Sequence, residues 1–229
     1  MKKVLIITII LVFSFGAFAQ KFSGGLMIGP SIGWLKSDSK SLTKDKARFS
    51  YTWGAFIDRN LSDNFAISTG VFINEVGGKI KYNETTGFVY EDSTSATYFP
   101  SSIVKYKIRY IEIPISLKGM TNEIGHFKYH LKIGLSPMIK WKAKADIVAS
   151  VIGVPYSPED INFSDEVNPF NLAFHVGGGA QLLLGGTTAL IAEIVYYNGI
   201  TDITPDNADR NNEYNVLSHQ IMLRIGVKF

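Results

Sequence analysis

The chain contains no cysteine. That removes disulfide frameworks, thiolate metal sites and lipoprotein attachment together. Long hydrophobic runs are equally scarce. The one continuous apolar stretch, from Val4 to Phe15, is shorter than the about 20 residues a helix needs to cross hydrocarbon. Nowhere after it is there a helical stripe of apolar residues. A dominant charge sign is missing too, with Lys and Arg numbering 23 against 20 Asp and Glu. Two of those cations are Lys2 and Lys3, so the rest of the chain is close to neutral and carries no broad electrostatic footprint for nucleic acid.

What is present begins with a basic start, Met1-Lys2-Lys3, the short apolar run, and then Ala17-Phe18-Ala19. This small-x-small ending marks residues 1–19 as a secretory signal peptide with cleavage expected after Ala19. Residues 20–229 remain, long enough for one domain with a sizeable core.

That domain reads as eight strands with period-two alternation, near 22–36, 48–60, 64–82, 105–119, 125–144, 169–184, 188–201 and 214–229. Tight connections fall at Leu61-Ser62-Asp63, at Met120 to Ile124 and at Gly185-Gly186-Thr187. Long ones fall near 37–47, 83–104, 145–168 and 202–213, alternating strictly with the tight ones. The rhythm predicts an all-β, eight-stranded antiparallel up-and-down transmembrane β-barrel with short periplasmic turns and long extracellular loops. Each strand exceeds the about 9–11 residues of a tilted crossing.

Charge decides which face meets lipid. In the fifth strand Phe127, Tyr129, Leu131, Ile133, Leu135, Ile139 and Trp141 oppose His130, Lys132, Ser136, Lys140 and Lys142. The first and seventh strands divide similarly, with Gly29 and Gly33 on one inward face and Glu193 on the other. Lipid-facing charge at mid-depth costs about 2–4 kcal/mol, so the charged face points in. Aromatics near both ends of the apolar band, Phe22, Phe65 and Phe229 low, Trp34, Tyr51 and Trp141 high, suit two interfacial girdles.

Eight strands leave a lumen that side chains can fill, so a general diffusion pore is not expected. A turn at 120–124 pairs positions whose numbers sum to about 244 and sets Glu112 opposite Lys132. Glu193 and Arg224 fall at similar height on neighbouring strands. Glu112, Lys132, Glu193 and Arg224 are therefore expected to form a buried ionic cluster, since enclosed charges are tolerated only when paired. A structural plug is the favoured role, with a proton or ion path as the alternative.

No cofactor site emerges. Asp202, Asp206 and Asp209 share a loop but match no calcium-loop spacing. Catalysis would need a nucleophile beside a base. Ser218 and His219 are adjacent at the top of the last strand, yet alternation aims them in opposite directions. The expectation is a protein without enzymatic activity. On the outer wall, Lys105, Lys107 and Arg109 continue the lipid-facing parity above Ile111, at the height of lipopolysaccharide phosphates. These three are candidate lipopolysaccharide contacts, set against plain snorkelling of long cationic side chains.

The fourth strand carries Tyr110-Ile111-Glu112-Ile113-Pro114. The run resembles the Tyr-x-Glu-Ile-Pro hallmark of the PorT-type outer-membrane β-barrel family, together with Gly29, Gly33, Gly177-Gly178-Gly179 and the final Phe229. The last nine residues, from Ile221 to Phe229, resemble the terminal strand of Gram-negative outer-membrane barrels. That likeness implies that Phe229 is an assembly signal read by the barrel-assembly machinery. The family resemblance implies location in the outer membrane, with outer-membrane lipid and lipopolysaccharide as surroundings and an envelope or secretion partner to be found. Its founding member's link to protein export makes a secretion accessory the first alternative to a structural or interaction role. An outer-membrane lipid A-modifying enzyme is the second. Pro114 removes one ladder hydrogen bond, so a break is expected beside Glu112.

Overall fold

Alternation of period two yields long antiparallel strands, each paired with its neighbour in sequence. The structure, a computed structural model, describes residues 22–89, 97–99, 101–151, 154–205 and 215–229. The segment assigned to the signal peptide lies outside them. The wall consists of β1 (Phe22–Ser37), β2 (Arg48–Asn60), β3 (Phe65–Tyr82), β4 (Ser102–Glu112), β5 (Ile115–Met120), β6 (Phe127–Val151), β7 (Phe170–Gly185), β8 (Thr188–Gly199) and β9 (Val216–Lys228). β4 and β5 together make one crossing, because both pair with β3 on one side and β6 on the other. β9 closes on β1, and Phe229 N–H donates to the Gly24 carbonyl at 2.8 Å. The result is a ring of eight antiparallel crossings, the architecture its alternation predicts. A closed ring exposes no sheet edge to hydrocarbon. The seam is tight: a Cβ on Gly29 would lie 1.7 Å from the Leu223 carbonyl oxygen, so only glycine fits there.

The break expected beside Glu112 is present, and two other details depart from the sequence reading. The fourth crossing, read over 105–119, is interrupted. It ends at Glu112 and resumes at Ile115, with Pro114 in the gap and Ile113 N–H turned to the Pro137 carbonyl at 3.0 Å. Next, the following hairpin reverses around Gly125, whose φ of 65° suits glycine, rather than within 120–124. This displaces the register: Glu112 lies opposite Met138, and Lys132 lies opposite Lys118, so the expected Glu112–Lys132 pair does not exist as neighbours. Finally, β6 carries a bulge. Arg109 pairs with Lys142 and Tyr110 with Lys140, leaving Trp141 as an extra residue. Beyond it parity is exchanged, and Lys142 stands on the outer face instead of the inner one.

The bulge coincides with a reversal of the whole pattern. Below it the outer face is apolar, including Ile73, Ile111 and Ile139 abreast, and the inner face carries the charged and polar side chains together with a small apolar cluster of Met27, Phe56, Phe72 and Ile191. Above it Glu75, Arg109 and Lys142 stand abreast outside, while Val76, Ile80, Val104, Tyr106, Ile108 and Ile147 are buried inside. β6 has 25 residues, far more than the about 9–11 of a crossing, so its upper part extends past the apolar belt. That extension has the arrangement of a water-soluble barrel. Phe88, Phe99 and Phe163 from the long connections close it, with Phe163 rings 5.5 and 5.6 Å from Phe88 and Tyr106.

Candidate functional site

Inside the belt, inward parity and neighbouring registers gather the polar side chains into one network. Arg224 of β9 is its centre and is 1% exposed. Its guanidinium donates to the Tyr197 hydroxyl at 3.0 Å and to Glu112 Oε2 at 3.4 Å, and lies 4.4 Å above the Phe72 ring. Glu112 also accepts from Tyr197 OH at 2.5 Å, Ser136 Oγ at 3.0 Å and Asn74 Nδ2 at 2.9 Å. Glu193, directly across the ladder from Arg224, accepts from Lys132 Nζ at 2.5 Å and meets His130 Nε2 at 3.2 Å. Its nearest approach to Arg224 is 4.0 Å. The four charged residues singled out from the sequence thus lie in one enclosed group, linked through Arg224 rather than through Glu112 and Lys132.

Sequence reasoning missed several members. Lys118 Nζ donates to Asp58 at 2.7 Å, a second buried pair lower in the lumen. Tyr197, Ser136 and Asn74 complete the shell of Glu112. All follow inward parity, so the signal was available. What was lacking was the register that brings them together.

His175 lies between two hydroxyls, with Ser116 Oγ 2.7 Å from Nε2 and Ser136 Oγ 3.0 Å from Nδ1. The Ser116–His175–Ser136–Glu112 chain has the spacing of a nucleophile with a base. Ser116, His175, Ser136 and Glu112 are nevertheless all buried, and the cavity touching Ser116 measures about 20 Å³. That volume holds one water molecule and no substrate. At the rim, Ser218 accepts from Asn171 inside the barrel, whereas His219 stacks on Trp34 outside at 5.7 Å. They do not share a proton. Asp202 anchors its own loop by accepting from the Thr204 and Val216 N–H groups at 2.9 and 2.8 Å. Asp206 and Asp209 lie outside the described residues.

On the outer wall above the belt, Lys105 and Lys107 reach Asp146 at 3.0 and 2.6 Å, and Lys107 also reaches Asp160 at 2.9 Å. Arg109 and Arg48 share Glu75 at 2.6 and 3.1 Å. Burial pushes the Asp146 carboxyl up, but hydrogen bonds from Lys107, the Asp160 N–H and Lys105 outweigh it and hold it at about 2. The hydrogen bond from Lys107 likewise lowers Asp160. Phe229, the candidate assembly signal, points outward from the end of β9 and is exposed.

Residues 18–205 match the family model described as outer membrane protein beta-barrel domain. The chain belongs to that family. It is an integral outer-membrane β-barrel. Among solved structures it is similar to the outer membrane protease OmpT from Escherichia coli, at 10% identity and a TM-score of 0.51, covering 91% of this chain and 96% of that one. It is also similar to Neisserial surface protein A, at 12% identity and a TM-score of 0.44, covering 91% and 97%. The attachment invasion locus protein Ail of Yersinia pestis matches at 13% identity and a TM-score of 0.39, covering 91% and 99%. At 10% identity the likeness to OmpT speaks to fold alone. No curated protein matches the sequence.

Proposed function

We propose that this outer-membrane barrel is a sealed, non-enzymatic protein that acts through its outer wall and extracellular loops. The observation carrying this reading is the packed lumen, where Arg224, Glu112, Glu193 and Lys118 are all buried within the belt. The cavity bordered by Lys118, Glu193 and Arg224 measures about 20 Å³. A barrel of eight crossings is narrow enough for side chains to fill. Above the network the aromatic core of the extension adds a second plug. The ionic cluster therefore acts as a structural bolt, holding strands together where water is excluded.

The test is twofold. In planar bilayers the purified barrel should give conductance no different from the bare membrane; stable ohmic openings would sink the sealed reading. Affinity capture from native membranes should recover a partner through the loops and lose it when they are trimmed. Unchanged recovery after trimming counts against loop-mediated interaction.

The Tyr110-to-Pro114 run supports PorT-type affinity within the family. Its residues have structural work here: Glu112 joins four partners, and Pro114 ends β4. The motif therefore favours a barrel type over an export role. An export accessory would be favoured by loss of exported proteins on deletion. In the same reading, residues 1–19 are removed by cleavage after Ala19, and the β9 pattern ending in Phe229 directs insertion by the barrel-assembly machinery.

A further inference from the structure

Most ion pairs on the outer wall lie in a single open groove of about 700 Å³ spanning β2, β3, β4 and β6. Lys79, Lys105, Lys107 and Arg109 line it from β3 and β4; Lys142 and Lys144 line it from β6. The last two face outward only because the bulge at Trp141 exchanges parity in β6. Without that extra residue the groove would lose one wall of cations.

The registers set like charges directly across from one another. Lys79 is opposite Lys105, Lys107 opposite Lys144, and Arg109 opposite Lys142. Cross-strand like-charge pairs destabilise a sheet. Three carboxylates partly offset them: Glu75 is shared by Arg109 and Arg48, Asp146 by Lys105 and Lys107, and Asp160 by Lys107 and Lys144. Lys79 and Lys142 pair with no carboxylate among the described residues. With Arg48 counted, seven cations line the groove against those three anions. The excess is positive and concentrated on one face.

Its height selects among anions. One step down the same strands, Ile73, Ile111 and Ile139 stand side by side on the lipid face, and Phe49 lines the groove itself. A molecule with phosphates at the groove and acyl chains below would satisfy both surfaces at once. A soluble polyanion would use only the upper half.

We infer that this groove binds the phosphate groups of an outer-leaflet glycolipid of the lipid A type, with its acyl chains along Ile73, Ile111 and Ile139. The inference rests on the reading of the chain as a sealed barrel working through its outer surface. Conductance tests that reading, whereas lipid selectivity tests this one. Phosphate is held by several point charges, as lysine and arginine supply them. The bulge is thus a device for building the site.

The experiment measures binding of the full barrel in phosphatidylcholine nanodiscs, by native mass spectrometry and by lipid-dependent shift of the unfolding temperature. Bisphosphorylated lipid A should bind at least tenfold more tightly than its dephosphorylated form or phosphatidylglycerol, and the preference should shrink with added salt. The Lys79→Gln, Lys142→Gln double variant, which breaks no ion pair, should weaken lipid A binding at least tenfold while keeping the heat-modifiable folded band. Equal binding of all three lipids would reduce the groove to snorkelling lysines and overturn the assignment. So would an unchanged double variant. Dextran sulfate binding as tightly as lipid A would overturn it in favour of a soluble polyanion. The wild-type lipid preference needs no variant, so a poorly folding mutant leaves the test intact.

Discussion

The belt and the extension above it are made from the same strands, yet they solve opposite problems. In β3, β4 and β6 the side chains alternate without interruption, apart from one bulge. Within the belt the isoleucines look outward and Glu112, Lys132 and Ser136 look inward; above it Lys79, Lys107 and Lys144 look outward while Ile80, Tyr106 and Ala145 are buried. Solvent accounts for the difference. Hydrocarbon outside requires apolar residues there and forces charge into the lumen, where it must be paired. Water outside allows the usual burial of apolar groups. A single β-barrel therefore carries two cores, ionic below and aromatic above, and each should fail in its own way.

The ionic core should fail hardest. Glu112→Ala leaves the Arg224 guanidinium buried without its nearer carboxylate, and loss of one partner of such a pair costs about 3–5 kcal/mol. Urea unfolding in detergent micelles should show that loss, and the heat-modifiable band should weaken. Removing both charges in E112A with R224M should recover most of it. A single variant as stable as wild type would show the network to be ornamental. The aromatic core should give way locally instead. Phe163→Ala removes a fully buried ring between Phe88 and Tyr106 and should cost about 3 kcal/mol. Proteases should then cut the long loops while the membrane-embedded barrel stays heat-modifiable. Collapse of both regions together would mean that the two cores are one cooperative unit.

The sharpest contrast between the regions uses one substitution at two heights. Ile133→Arg places a charge in the middle of the belt and should cost about 2–4 kcal/mol. Val148→Arg, also outward but in the extension, should change stability by less than about 0.5 kcal/mol. Equal costs would place the extension inside the membrane.

Much of this arrangement was legible in the sequence. Eight crossings, the alternation of short and long connections and the break at Pro114 all follow from period, turn residues and the chemistry of proline. The facing of Glu193 and Arg224 followed from counting along neighbouring strands. Register across β5 and β6 was not legible, because Gly125 and Asn122 are both ordinary turn residues and only the finished hairpin decides between them. Nor was the bulge: an extra residue in β6 shows itself only when the partners of Arg109 and Tyr110 are both known. Parity alone also cannot say which face is buried once a strand leaves the lipid. Parity puts Lys105 and Lys107 on the outer wall, but the groove they share with Lys142 and Lys144 depends on the bulge.

The smallest effect expected concerns acid. Asp146 holds the β4 and β6 extensions together through Lys105 and Lys107, and its folded pKa of about 2 lies below the about 3.9 of a free aspartate. A depressed carboxyl stabilises the folded form at pH values above its unfolded pKa and loses that contribution as pH falls through the folded value. Amide exchange in residues 144–149 should therefore be flat down to about pH 4, after correction for intrinsic rates, and accelerate from there towards pH 2. The belt residues 129–139 should not follow, because the Asp146 pairs lie wholly above them. Asp146→Asn should remove most of the pH dependence and leave exchange near its acid level throughout, with the remainder carried by Asp160, which pairs with Lys107 and Lys144. If the extension loosened only below pH 2, or in step with the belt, the anchoring of one region separately from the other would lose its physical basis.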